Sequence, residues 1–237
     1  MRVAALYDIH GNLPALEAVL AELERDGGVD EIVVGGDVLW GPLQSECLGL
    51  LRSAGATFVS GNCEHDVLDP RSDVDRWCRE QLADAERTAV ASWPQAVDRD
   101  IDGLGKVVFC HATPLDDERI LTRITPDEAV VAEFAGIDAT VVVCGHTHVQ
   151  FDRRVPGAPR LVNAGSVGLP YEGVPGAFWA FVGPEIELRR VTYDVERALA
   201  ALRATTFPGF DEVFARSLEG RITALAATTE LESRRGA

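Results

Sequence analysis

The chain has 237 residues, of which 46% are hydrophobic and 25% are charged, as expected of a globular domain with a sizeable core. Its 38 acidic residues outnumber 22 basic ones, and the formal net charge of −16 argues against binding to long nucleic acids, which requires clustered lysine and arginine. No apolar run approaches the roughly 18 to 20 residues of a membrane span, and no basic stretch followed by an apolar one opens the chain, so we expect neither a membrane span nor a secretory signal.

The first sixty residues alternate strand and helix patterns. Strands are predicted over residues 2–7, 31–34 and 57–60. Helices are predicted over residues 13–26, where Asn12 has the position of an N-cap, and over residues 44–53. This alternation is typical of a parallel sheet that helices cover on both faces.

The rest of the chain changes character. One long helix is predicted over residues 73–92, followed by a hairpin whose arms end at residues 102 and 110, a helix over 127–134 and a buried strand over 140–144. Antiparallel strands are predicted over residues 149–154, 160–163, 178–182 and 186–193, and helical patterns follow residue 194. Nothing justifies a domain boundary, so we expect one domain over residues 1–237, with a tail that frays from about residue 230.

Polar side chains with metal-binding chemistry gather at the ends of the predicted strands. They are Asp8, His10, Asp37, Asn62, His111, His146 and His148, and they include four of the five histidines. In open α/β sheets the carboxyl edge of the strands is where ligands bind. Taken singly, each has an ordinary alternative, such as a helix cap, a turn or a hydrogen-bonded loop histidine. Together they predict a metal centre at this edge.

The ligand types and their number indicate two transition-metal ions. Imidazole combined with carboxylate suits manganese, iron, zinc or nickel. Side chains two residues apart on an extended segment share a face, so Asp8 with His10, and His146 with His148, could each hold an ion. Seven ligands exceed the needs of one tetrahedral ion and suit a pair about 3.5 to 4 Å apart with a bridging carboxylate. Asp37, which follows two glycines, is the expected bridge.

The ordered motifs resemble those of the calcineurin-like metallophosphoesterase superfamily over roughly the first 170 residues. They are Asp8-Ile9-His10, Gly36-Asp37, Gly61-Asn62-Cys63-Glu64, His111 and Gly145-His146-Thr147-His148. The run from Asn163 to Gly168 is similar to one in a small bacterial branch of predicted phosphodiesterases, with Ala164 where proline is usual. The resemblance implies a four-layer α/β/β/α sandwich with a parallel-rich first sheet and an antiparallel-rich second sheet.

The resemblance also implies how the ligands divide. One ion is expected on Asp8, His10, Asp37 and His148, and the second on Asp37, Asn62, His111 and His146. Cys63 stands where most of the superfamily has a histidine that stabilises the transition state or protonates the leaving group. A thiol with a pKa near its usual value of about 8.5 serves neither role well. His65, and less so Cys63 itself, remain candidate catalytic residues, although a solvated histidine is the simpler interpretation of His65.

These observations predict a dinuclear phosphoesterase that hydrolyses small phosphorylated substrates, with phosphodiesters expected, through a hydroxide bridging the two ions. Manganese is the expected metal. A phosphomonoesterase, a dinucleotide polyphosphate hydrolase, a nuclease and a metal-binding scaffold remain alternatives. Tyr171, Glu172 and Arg119–Arg123 are candidate rim residues. Five cysteines without close pairing, together with the absence of a signal, predict a cytoplasmic location and leave the oligomeric state open.

Overall fold

The computed structural model describes residues 1–235 and contains two five-stranded sheets with helices on their outer faces. The strands are β1 (Val3–Leu6), β2 (Glu31–Val34), β3 (Thr57–Phe58), β4 (Ala96–Ile101), β5 (Gly105–Cys110), β6 (Val141–Cys144), β7 (Phe151–Arg153), β8 (Arg160–Asn163), β9 (Ala177–Val182) and β10 (Ile186–Val191). The helices are α1 (Leu13–Arg25), α2 (Gln44–Ser53), α3 (Asn62–Leu68), α4 (Asp73–Glu80), α5 (Asp84–Val90), α6 (Asp127–Glu133), α7 (Val195–Arg203), α8 (Arg216–Leu218) and α9 (Ala224–Arg234), with a π-helical segment, Asp211–Ala215, before α8.

Each sheet combines two parallel and two antiparallel pairings. The first sheet has the order β10-β9-β1-β2-β3, in which β1 pairs with β2 and β2 with β3 in parallel. The second has the order β4-β5-β6-β8-β7, in which β5 pairs with β6 and β6 with β8 in parallel. The predicted division into a parallel-rich and an antiparallel-rich sheet is therefore wrong, because β9 and β10 return to the first sheet beside β1.

Alternation along β1 separates the layers. Val3 and Ala5 pack between the two sheets, against residues such as Val143 of the second sheet. Ala4 and Leu6 face the other way, onto the helical layer that includes α1. On the far side of the second sheet, residues of β5, β6 and β8 pack against α6. The predicted four-layer α/β/β/α architecture is thus confirmed.

The helices differ from the prediction at three places. No helix was predicted over residues 62–68, where α3 lies. The long helix predicted over residues 73–92 is interrupted after α4, because the Ala83 N–H donates to the Glu86 carboxylate and so begins a new helix. Where a frayed tail was predicted from about residue 230, α9 continues to Arg234, and Glu232 accepts hydrogen bonds from the hydroxyls of Thr122 and Thr125. Residues 236–237 of that tail lie outside the described residues. Within residues 1–235, no helix combines the length and apolar character that crossing a bilayer requires.

Candidate metal centre

The predicted ligands lie in turns that follow the strands, and most of these turns have an unusual backbone. Asp8, His10, Asp37, His146 and His148 all have positive φ angles, between 44° and 64°. Non-glycine residues adopt this region rarely, and such strain concentrates at functional sites. The extended geometry predicted for the pairs 8/10 and 146/148 is therefore wrong. Left-handed turns, rather than side-chain alternation, direct each pair to the same place.

Four of the predicted ligands form one tight, buried group: Asp8, His10, Asp37 and His148. Their ligand atoms all lie within 4.8 Å of one another. His148 Nε2 is 3.2 Å from Asp8 Oδ1 and 3.4 Å from His10 Nε2. His10 Nε2 is in turn 3.7 Å from Asp37 Oδ2. This is the set that the resemblance implies for the first ion.

Backbone carbonyls orient the imidazole rings of this region. The Nδ1 atoms of His10, His111 and His148 lie 3.2, 2.9 and 2.6 Å from the carbonyl oxygens of Trp40, Gly35 and Leu169. A carbonyl oxygen only accepts hydrogen bonds, so each Nδ1 carries the proton and donates it. Each Nε2 of a neutral ring then presents its lone pair towards the neighbouring carboxylates, which is how second-shell bonds prepare histidine for a metal.

The donor atoms of the buried group fit a cation. Asp8 Oδ1 is fully buried and, within residues 1–235, accepts no hydrogen bond of acceptable geometry despite its 3.2 Å approach to His148 Nε2. His10 Nε2 lies only 3.4 Å from His148 Nε2. A buried carboxylate oxygen without a partner is costly unless a positive charge lies beside it. The residues present therefore fit a bound metal ion.

A second set of predicted ligands adjoins the first through Asp37. His111 Nε2 lies 3.1 Å from Asn62 Oδ1 and 3.5 Å from Asp37 Oδ2. The rings of His111 and His146 meet edge to face, with centroids 5.1 Å apart. Asp37 Oδ2 thus faces a histidine of each set, while its Oδ1 accepts a hydrogen bond from the Cys63 N–H at 3.0 Å.

Burial and neighbouring charges set the protonation of these groups. Burial lowers the pKa of both His10 and His146 to about 4. Burial acts to raise the pKa of Asp8, but the nearby histidines, His148 foremost, outweigh it and lower that pKa. Asp37 and Asp8 overcome the effect of burial on His111, and Asp8 overcomes it on His148, so the pKa values of both rings are raised. The ionised carboxylates and the neutral rings of His10 and His146 are already in the forms that coordinate metals.

Glu64, a residue of the Gly61–Glu64 motif for which no role was predicted, is a structural member of the site. It is fully buried on α3, and its two carboxylate oxygens accept four backbone hydrogen bonds. The donors are the N–H groups of Asp37, Val38, Leu39 and Gly61. Burial and the Asp37 charge raise the pKa of Glu64 to about 7, whereas the four donors favour the carboxylate, the form whose two oxygens satisfy all of them. Glu64 therefore joins the two turns that carry Asp37 and Asn62.

The run from Asn163 to Gly168 supports the other two ligand turns. The Asn163 side-chain amide donates to the Gly145 carbonyl at 2.5 Å and to Thr147 Oγ1 at 3.0 Å, which fixes the turn carrying His146 and His148. The Ser166 hydroxyl and the Gly168 N–H donate to the Asp8 carbonyl at 2.7 and 3.0 Å. This run positions ligands and contributes none itself.

The two candidate catalytic residues lie in different surroundings. Cys63 is buried beside Asp37, and burial together with the Asp37 and Glu64 charges raises the pKa of its thiol. His65 is half exposed, with Nδ1 2.8 Å from Asp117 Oδ2 and Nε2 3.3 Å from Ser60 Oγ. Successive helical residues turn by about 100°, so positions two apart on α3 face nearly opposite directions. Cys63 lines the cavity onto which the ligands open, whereas His65 lines a neighbouring cavity that shares Asn62 with it.

A cavity of about 400 Å³ opens onto the ligands. Besides five of the predicted ligands (His10, Asp37, Asn62, His146, His148) and Cys63, its lining consists of Trp40, Asp66, Asp75, Leu169, Tyr171 and Val213. Of the candidate rim residues, Tyr171 lines it, stacked on His148 with ring centroids 4.6 Å apart. Glu172 instead accepts a hydrogen bond from the Gln150 N–H, and Arg119 pairs with Asp116 and Glu133. Neither Glu172 nor any residue of Arg119–Arg123 lines this cavity.

Comparison with known proteins identifies the family. Residues 1–182 match the model of the calcineurin-like phosphoesterase superfamily domain. The chain belongs to the calcineurin-like phosphoesterase superfamily. This calcineurin-like phosphoesterase is similar to a metallophosphoesterase from Sphaerobacter thermophilus of known structure, with 27% identity, a TM-score of 0.74, and coverage of 93% of this chain and 100% of that one.

Two further proteins resemble this calcineurin-like phosphoesterase over most of their length. A hypothetical protein from Pyrococcus horikoshii OT3 has the same fold, with 18% identity, a TM-score of 0.78, and coverage of 92% of this chain and 98% of that one. An uncharacterized protein of Methanocaldococcus jannaschii is 28% identical over 234 residues, which cover 87% of this chain and 93% of the relative. The family and the buried cluster together indicate a hydrolase with a metal site.

Proposed function

We propose that the chain is a dinuclear, metal-dependent phosphodiesterase that acts on a small phosphorylated substrate. The observation that supports two ions is the position of Asp37. Its Oδ2 lies 3.7 Å from His10 Nε2 on one side and 3.5 Å from His111 Nε2 on the other, as a carboxylate shared by two ions would. Bound ions would supply a nucleophile from water near neutral pH and would neutralise charge on the phosphoryl group.

Manganese is our proposed metal, with iron, zinc and nickel as alternatives. Asp8, His10, Asp37 and His148 would hold one ion, and Asp37, Asn62, His111 and His146 the other. The carboxylate and amide oxygens add hard ligands to the imidazoles, a mixture that suits manganese and iron as well as zinc.

The cavity lining supports a phosphodiester rather than a more highly charged substrate. No lysine or arginine is among the described residues that line it, and it carries two carboxylates, Asp66 and Asp75, beyond the ligand set. Phosphomonoesters and nucleoside polyphosphates bring at least one more negative charge than a diester does. Without a basic clamp, that charge faces acidic walls in a chain of net charge −16. A singly charged diester is the substrate that this wall repels least.

A substrate panel tests the proposal directly. The purified protein is freed of metal, reloaded separately with manganese, iron, zinc or nickel, and assayed on matched nitrophenyl mono- and diesters and on a dinucleotide polyphosphate. We expect diester hydrolysis to exceed monoester hydrolysis and two ions per chain by elemental analysis. Preference for the monoester or the polyphosphate would replace the diester assignment. Absence of stoichiometric metal would favour a scaffold, and salt-sensitive retention on DNA would favour a nuclease.

The histidines provide a matched pair of variants for the same assay. His146→Ala removes a proposed ligand and should lower diester hydrolysis by at least about 100-fold together with the metal content. His65→Ala removes a half-exposed histidine that lies outside the cavity and should change neither. Equal losses in the two variants would contradict the assignment.

We also propose a reducing, cytoplasmic location. All five cysteines are free and buried, which is the usual state of structural thiols in a reducing compartment.

A further inference from the structure

Tyr171 forms part of the cavity wall directly above the ligands. Its ring lies on that of His148, with centroids 4.6 Å apart and planes 18° apart, and its N–H donates to the His148 carbonyl at 3.1 Å. Cys63 and His146 line the same cavity. The backbone bond and the stacked ring fix where the phenol points, so little conformational freedom is lost when a ligand reaches its hydroxyl.

The Tyr171 hydroxyl differs from those of the other two tyrosines. The Tyr7 hydroxyl donates to the Val143 carbonyl at 2.8 Å, and the Tyr193 hydroxyl accepts from the Asn12 amide at 3.2 Å. The Tyr171 hydroxyl has no hydrogen-bond partner within residues 1–235, and the charged groups that act on it include Asp8 and Asp37 of the ligand set. A phenol hydroxyl normally finds a partner, and this one, on a half-buried residue that lines the cavity, is free to bond to a molecule there.

The cavity otherwise offers few donors for a phosphoryl oxygen. Cys63 supplies only a weak S–H donor, and the Trp40 indole N–H is occupied by Asp75 Oδ1 at 3.0 Å. Lysine and arginine are missing from the described lining. Asn62 Oδ1 faces His111, as expected for a ligand, and its amide nitrogen is 3.7 Å from Cys63 Sγ. Tyr171 is therefore the strongest uncommitted donor beside the ligands.

We propose that Tyr171 is a catalytic residue whose hydroxyl donates a hydrogen bond to a non-bridging oxygen of the phosphodiester and strengthens that bond in the transition state. This inference rests on the proposed function. The substrate oxygen gains negative charge as the water oxygen attacks phosphorus, and a fixed O–H dipole aimed at it lowers the barrier without itself transferring a proton. The hydroxyl thus supplies the stabilisation that a thiol at position 63 does not.

Tyr171→Phe tests the hydroxyl alone, because phenylalanine keeps the ring on His148. For the metal-loaded enzyme and a nitrophenyl diester we expect kcat to fall roughly 10- to 100-fold, KM to change less than about threefold, and metal content and Tm to stay at wild-type values. Tyr193→Phe removes a hydroxyl that bonds to Asn12, outside the cavity, and should leave kcat unchanged. Retention of kcat within about twofold in Tyr171→Phe, or a loss matched by lost metal, would overturn the proposal.

A series of aryl diesters separates the proposed bond from proton donation. A hydrogen bond to a non-bridging oxygen predicts the same fold-loss in Tyr171→Phe for nitrophenyl and unsubstituted phenyl leaving groups. A loss that grows with the pKa of the leaving group would overturn the assignment and make Tyr171 a proton donor instead. If the wild-type enzyme hydrolyses no diester with any of the metals, the proposed function itself fails. If only the variant behaves unexpectedly, the proposed function stands without this inference.

Discussion

Replacing Glu64 with glutamine tests how the ligand turns are held together. One carboxylate oxygen accepts from the N–H groups of Val38 and Leu39 at 2.9 and 3.1 Å, and the other accepts from Asp37 and Gly61 at 2.8 Å each. Glutamine has one acceptor oxygen, so in either orientation its NH₂ group meets two backbone donors. Two buried N–H groups therefore lose their acceptor. Each unsatisfied donor lowers the free energy of unfolding by about 1–3 kcal/mol, which gives a total of about 2–6 kcal/mol. That is a large part of a typical stability of about 5–15 kcal/mol.

The free energy of unfolding is measured by urea titration of the metal-free protein, so that metal binding does not mask the effect. Metal content and diester hydrolysis are then measured on the folded variant, and both should fall because the turns of Asp37 and Asn62 separate. Glu232→Gln is the control. Its partners are the hydroxyls of Thr122 and Thr125, which can rotate to accept from an amide, and the partly exposed Arg235 guanidinium, which donates to Oε1, so we expect a loss below about 1 kcal/mol. A Glu64→Gln variant as stable and as rich in metal as the wild type would refute this reasoning.

Three further predictions concern the site and the sheet that carries it. Gly168→Ala places a Cβ 1.7 Å from the Ile9 carbonyl oxygen, so the Asp8 turn must move. The free energy of unfolding should fall by about 1–3 kcal/mol and the metal content should drop, whereas an unchanged urea midpoint would contradict this. Glu31→Gln breaks a bidentate pair with Arg99 that lowers the pKa of Glu31, so its stabilisation is complete above the ordinary pKa of 4.5 and is lost as the pH falls through the lowered pKa. We expect a cost of about 1–2 kcal/mol at pH 7 that shrinks as the pH falls below 4.5 in urea titrations. Cys63→Ala should retain diester hydrolysis within about threefold, because the raised pKa keeps the thiol protonated, and a loss above about 100-fold would point to a nucleophilic cysteine.

The ligand set was predictable because each ligand is marked by local chemistry. Asp8 and His146 follow short apolar strands, and carboxyl ends of neighbouring strands meet at one edge. The predicted extended geometry of the Asp8 and His10 pair is nonetheless wrong, because both residues lie in left-handed turns. A sequence shows which residues follow a strand, but the φ angles there are imposed by contacts such as those of Asn163 and Ser166 with distant turns.

The contact partners of Glu64, His65 and Tyr171 were not predictable in the same way. Glu64 stands in a recognisable run, yet its four backbone donors come from two turns that are brought together by folding. His65 is one residue further along α3 and faces Asp117. The two residues are about fifty positions apart in the sequence, so their contact could not be predicted from it. Tyr171 reaches the ligands only because its ring stacks on His148.

The sequence by itself determined most of the strand and helix succession, the family resemblance and the identity of the ligands, because periodicity and residue chemistry are local properties. Tertiary structure alone decided that β9 and β10 join the first sheet, that Glu64 accepts from both Asp37 and Gly61, and that the Tyr171 hydroxyl has no hydrogen-bond partner among residues 1–235. These depend on packing between segments far apart in the chain, where burial and hydrogen-bond satisfaction, rather than local preference, select the partner of each group.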